Sequence, residues 1–246
     1  MNDRNEKRDP ENDGMQRRAF LHAAGTGAGA LVALAPALLI GGCGGDDEHQ
    51  DEEVTPGEDL MREHGVLKRT LLAYRWYIDR IDAGGDISPE PLLRSARLIK
   101  GFVEEYHEKI EEDYLFPRFR KANKLVDLVN VLLAQHVAGR GITARVLAAA
   151  AAPELREQTA RDELRHLLDA FVRMYEPHEA REDTVLFPAF AEIVSKHEYD
   201  SLGEEFEKIE HRTFGADGFE MAVQEIGSIE RALGIYELDQ FTPHIR

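Results

Sequence analysis

Two short stretches of the chain carry residue types suited to metal chemistry: His107 with Glu111, and His178 with Glu182, each an imidazole and a carboxylate four residues apart. On a helix that spacing puts both side chains on one face, one turn apart. Two further histidines, His64 and His136, lie 72 positions apart, and the two His/Glu pairs lie 71 apart. Adding His64 to the first pair and His136 to the second gives two groups of two imidazoles and one carboxylate. That donor set suits non-haem Fe(II) with open coordination positions. Buried without partners, these groups would cost several kcal/mol. A dication or two would compensate them and add metal–ligand bonds to the folding energy.

Each piece alone is weak, because a single core histidine is more often hydrogen-bonded than ligating, and HxxxE is most often a surface pair. Repetition changes the balance. The thirteen residues from His107 to Phe119 align without gaps on those from His178 to Phe190, with seven identities that include Leu-Phe-Pro at 115–117 and 186–188. With His64 and His136 repeating in step, the pattern implies two helical hairpins related by an approximate twofold axis.

The elements that must position these residues follow from apolar periodicity. One stripe runs Leu60, His64, Leu67, Leu71, Tyr74, Ile78, Ile81, and a second Ala96, Ile99, Val103, His107, Ile110, Tyr114. A third runs Leu125, Val129, Leu132, His136, Thr143, Leu147, Ala150, and a fourth Leu164, Leu168, Phe171, Tyr175, His178, Glu182, Val185, Ala189. The breaks fall at Ala83-Gly84-Gly85-Asp86 with Ser88-Pro89, at Lys121-Ala122-Asn123, and at Ala152-Pro153. Such short connections make consecutive helices antiparallel, so the sequence predicts an all-α, up-down-up-down four-helix bundle over residues 58–195. Residues 196–246 continue the amphipathic pattern through Phe206, Ile209, Phe214, Phe219, Ile226, Ile229 and Leu233, which predicts one or two extra C-terminal helices packed on the bundle.

His64, the His107–Glu111 motif with its Leu-Phe-Pro, His136, and the second copy from His178 to Pro188 resemble the hemerythrin-like, HHE cation-binding family. The resemblance implies a four-helix bundle holding two non-haem iron ions, bridged by oxo or hydroxo and by carboxylates, that binds O2 or a related small oxidant. By motif position it assigns His64, His107, Glu111, His136, His178 and Glu182 as ligands, with Glu111 and Glu182 as bridges. One departure matters: the hemerythrin oxygen carriers have a second histidine one turn after the first in the third helix, whereas this chain has Arg140. One iron then lacks a nitrogen ligand, which counts against reversible carriage. Glu108 and Glu179, next to the motif histidines, are candidates to complete the ligand set, although neighbours turn about 100° off the face. His211 is a candidate to cap the cavity, against a surface role. Tyr74, Tyr114 and Tyr175 share the ligand-bearing stripes, where core packing is favoured over hydrogen bonding to the site. Phe116, Phe187 and the prolines after them are expected to kink or end their helices.

The beginning of the chain reads as an address. Gln16-Arg17-Arg18-Ala19-Phe20-Leu21 resembles a twin-arginine export signal ahead of a weakly apolar run, and Ile40-Gly41-Gly42-Cys43 resembles a lipobox. Residues 1–42 are then the signal, Cys43 the lipidated residue, and 43–57 a flexible acidic tether. The mature protein is expected outside the cytoplasmic membrane, anchored by lipid. Twin-arginine export moves folded proteins, so a metal chosen in the cytoplasm can be sealed in before competing ions are met. A formal net charge of -17 argues against a nucleic-acid partner. The resulting expectation is a di-iron protein for O2 carriage, sensing or scavenging; an enzyme acting on peroxide or nitric oxide, or an iron-handling protein, is the alternative.

Overall fold

The computed structural model describes residues 54–215 and 217–245. The expected export signal, the expected lipobox with Cys43, and nearly all of the expected tether lie outside the described residues. Within them every regular element is helical, and no helix is long and apolar enough to cross a membrane.

Helix α1, Pro56–Asp82, starts at a capping box in which Thr55 and Glu58 satisfy each other's backbone N–H groups, with Pro56 at the first helical position. The turn after it needs a left-handed residue, and Gly84 supplies it with φ 66°. Helix α2 is helical without a break from 89 to 121. Its pieces are α-helical Pro89–Leu98, π-helical Ile99–His107, one α turn at Glu108–Ile110, π-helical Glu111–Leu115 and α-helical Phe116–Lys121. Helix α3 is Val126–Ala151. Helix α4, residues 158–193, repeats the plan of α2 with α-helical Gln158–Arg181, π-helical Glu182–Leu186 and α-helical Phe187–Ile193.

Pro117 and Pro188 therefore end neither helix, contrary to one of the two outcomes expected for them. In both copies a π-helical turn directly precedes the Phe-Pro pair. The wider turn accommodates a residue that cannot donate to the usual i−4 carbonyl, and the run continues.

The four helices form a closed ring in the up-down-up-down arrangement: α1 packs on α2, α2 on α3, α3 on α4, and α4 on α1. The stripes read from sequence face inward. Leu60, Tyr74, Ile99, Phe116, Leu132, Phe171 and Phe190 are all buried, and so are the four motif histidines. Two further helices complete the unit. Helix α5, Lys196–Phe214, packs on α1, and α6, Gly218–Leu233, packs on α1 and α2. Phe214 meets Tyr106 edge-on at 5.2 Å between ring centroids. The Arg69–Glu230 and Arg94–Glu225 ion pairs tie α6 to the bundle.

Candidate metal centre

All six residues assigned from the sequence come together in the bundle core, each at most 4% exposed. His64, His107 and Glu111 form one group with donor atoms within 4.8 Å of one another, and His136, His178 and Glu182 form the second. The two carboxylates lie between the groups. Glu111 sets one oxygen 3.9 Å from His107 Nε2 and the other 3.4 Å from His136 Nε2. Glu182 mirrors it, with oxygens 3.1 Å from His178 Nε2 and 3.4 Å from His64 Nε2.

The geometry suits cations better than hydrogen bonds. Neither oxygen of Glu111 or Glu182, nor His136 Nε2, has an aligned hydrogen-bond partner, although all are fully buried. Orphaned carboxylate oxygens in a core are costly. His64 Nε2 and His107 Nε2 face each other at 3.1 Å. Two nitrogens about 2.1 Å from one first-row ion and at right angles would be separated by about 3.0 Å. The donor set therefore fits two ions, one per pair of histidines.

Each imidazole is aimed by its other nitrogen. His107 Nδ1 meets Glu63 Oε2 at 2.7 Å, His136 Nδ1 meets Glu112 Oε1 at 3.1 Å, His178 Nδ1 meets Gln135 Oε1 at 2.9 Å, and His64 Nδ1 meets Asp183 Oδ1 at 2.6 Å. In every case the acceptor is the sequence neighbour of a ligand on the adjacent helix, so the contacts pass from α1 to α2, α3, α4 and back to α1. An Nδ1–H held this way fixes the tautomer and leaves Nε2 free to ligate. Sequence reading missed all four acceptors. Their signal was a carboxylate or amide flanking each ligand, a position that periodicity turns away from its own helix's ligand face. Phe187 stacks on His64 and Phe116 on His136, with ring centroids 5.4 and 5.5 Å apart, so the Leu-Phe-Pro motif also covers the imidazoles.

Electrostatics reflect the crowding. Burial opposes charge on His64, but Asp183 and Glu182 outweigh it and raise the imidazole to about 10; Glu111 and Glu112 do the same for His136, also to about 10. Burial wins at His107 and lowers it to about 4. Burial also raises Glu111, helped by the charge of Glu182, whereas at Glu182 burial is overcome by His178 and His64, which hold it well below the usual carboxylate range. The carboxylates thus favour positive charge at His64 and His136, a role that dications could take over.

The remaining candidates fall elsewhere. Glu108 accepts from Tyr175 Oη at 2.6 Å and from Arg140 at 2.8 Å. Arg140 also donates to Glu112 at 2.5 Å, so its guanidinium sits on two of the three members of a further grouping, Glu108, Glu112 and His136. Glu179 is buried, with one oxygen 4.0 Å from Lys68 Nζ. His211 is exposed on α5 and is not among the clustered donors, because the buried face of that helix is carried by Leu202, Phe206 and Glu210. Of the tyrosines, Tyr175 combines packing with a hydrogen bond, while Tyr114 packs edge-on against Phe206.

Comparison with known proteins gives this geometry its family. The model of the Hemerythrin HHE cation binding domain matches residues 55–159 and again 127–246. The chain belongs to the hemerythrin HHE cation-binding family. Its similar relatives include uncharacterized proteins of Mycobacterium tuberculosis, strains H37Rv and CDC 1551, and of Mycobacterium bovis. Each is 48% identical over 232 residues, covering 92% of this chain and 91% of the relative. No solved structure matches it. The two overlapping matches to the hemerythrin domain agree with the internal repeat.

Proposed function

We propose that this hemerythrin-family chain is a non-haem di-iron protein that binds O2 or a related small oxidant. The observation that carries the reading is the placement of Glu111 and Glu182, each with one oxygen toward either histidine pair and neither aligned with a hydrogen-bond donor. Two irons held by His64 and His107, and by His136 and His178, with Glu111 and Glu182 as bridges, would supply a redox-active centre with open positions. The residues around them orient and exclude water: the four Nδ1 acceptors fix the rings, and Phe116 and Phe187 cover them. Arg140, where the oxygen carriers have a ligand, is committed to Glu108 and Glu112. Of carriage, sensing and scavenging, the last two fit this arrangement best.

A second reading, an enzyme acting on peroxide or nitric oxide, draws on Tyr175 and Glu108. Their hydrogen bond provides a group able to hold or pass a proton, with the Tyr175 ring 5.3 Å from that of His178. One measurement separates the two. The protein is purified anaerobically, iron per chain is counted, and the optical spectrum is followed as O2 is admitted and removed. An oxygen-dependent band without turnover supports binding, and irreversible oxidation with peroxide consumption supports the enzyme. A metal spectrum indifferent to O2 refutes both and leaves a structural metal.

For location, the proposal is twin-arginine export with a lipid anchor at Cys43. Cys43→Ser is expected to release the protein from the membrane fraction, and replacing Arg17 and Arg18 by Lys to retain it in the cytoplasm. Fractionation of cells expressing either variant checks this.

A further inference from the structure

The two histidine pairs are alike by repeat but are not held alike. His64 and Asp183 correspond to His136 and Glu112 in the other half, and each acceptor carboxylate there is also paired with a cation, Lys68 in one case and Arg140 in the other. Lys68 and Arg140 are themselves one repeat apart. The symmetry fails at the remaining contact. Glu63 and Gln135, also 72 residues apart, are the acceptors for His107 and His178. One is a carboxylate, fixed further by Tyr106 Oη at 3.0 Å, and the other is a neutral amide.

The remaining distances add to the difference. Asp183 gives separate oxygens to His64, at 2.6 Å, and to Lys68, at 3.0 Å. Glu112 must share one oxygen between His136, at 3.1 Å, and Arg140, while Lys109 takes the other at 2.7 Å. An imidazole whose Nδ1–H donates to a carboxylate oxygen of its own is a stronger donor at Nε2 than one bonded to a neutral amide or to an oxygen shared with a guanidinium.

Resting on the two-ion reading above, we infer that Glu63 and Gln135 make the two ion positions unequal: the pair His64 and His107 forms the tight position, and the pair His136 and His178 the labile one. Glu63 and Gln135 are positioning residues that act through the rings they hold. The chain then loads and releases its ions in a fixed order and passes through a discrete one-ion form.

The test is an anaerobic Fe(II) titration of the full chain against a chromophoric chelator. Wild type is expected to take up two ions in separate steps with affinities about 10- to 100-fold apart. A crystal given one equivalent of Co(II) should show anomalous signal at His64 and His107. Gln135→Glu should narrow the gap to within roughly threefold by tightening the weaker step, and Glu63→Gln should narrow it by weakening the stronger one. A gain of affinity in Gln135→Glu is not something a purely structural role would produce, and it does not depend on the fate of Glu63→Gln. Two ions binding with equal affinity, or a gap unchanged in Gln135→Glu, would overturn the inference while leaving the two-ion reading intact. Fewer than two ions at saturation would overturn that reading itself, and the inference with it.

Discussion

That the six candidate residues meet in the core was legible from the apolar stripes and the repeat: four form i, i+4 pairs, and His64 and His136 repeat in step with them. What spacing could not reveal is how buried polar groups partner across helices, since that depends on which neighbour each side chain reaches. Glu63, Glu112, Gln135 and Asp183 belong to that class, and so does Glu104. Glu104 is 5% exposed and lacks a partner at Oε1. Burial pushes its carboxyl up to about 7, with Thr143 and Arg140 opposing and Glu108 reinforcing. The sign follows directly: between the ordinary carboxylate range and about 7 the folded chain keeps a proton that the unfolded chain releases, so this group's contribution falls as pH rises through that window. Glu104→Gln is therefore expected to stabilise the protein by roughly 1–2 kcal/mol at pH 8 relative to wild type, and by little near pH 4.5. Urea denaturation of both proteins across that range measures the difference, and a constant difference would mean that Glu104 does not titrate in the window.

Element boundaries, though not the Thr55 cap inside the expected tether, were legible wherever chemistry punctuates the chain, as at Gly84 and Ala152-Pro153. The π-helical turns at Glu111–Leu115 and Glu182–Leu186 were not. Proline in a sequence announces a lost donor, but not whether the helix stops, widens as before Pro117 and Pro188, or runs on as at Pro177. The packing of α3 on α4 offers a test at this scale. A Cβ at Gly139 would lie 2.1 Å from Tyr175 Oη, and that ring is held by Glu108 and by stacking on Phe171 at 4.3 Å. At Gly141, one half-turn on, a Cβ would meet nothing within 4 Å. Gly139→Ala should cost about 1–3 kcal/mol through overpacking. Gly141→Ala should gain about 0.5–1 kcal/mol because it removes only the helix penalty of glycine. Opposite shifts in the denaturation midpoint are the expected result, and equal shifts would mean that Tyr175 yields without cost.

At the scale of the whole molecule, the metal reading makes the centre a hub to which all four bundle helices contribute. Its stabilisation is then a single increment that any one ligand can forfeit. His107→Ala and His178→Ala should each lose bound iron and lower the thermal midpoint. The double variant should fall well short of the sum, because the second substitution removes an interaction already gone. Chelation supplies the control. With iron removed, wild type should drop toward the variants, leaving only the local cost of the cavity that each alanine creates, roughly 1–3 kcal/mol. Additive losses that persist unchanged in chelator would assign the histidines to packing alone, since a shared ion cannot be lost twice.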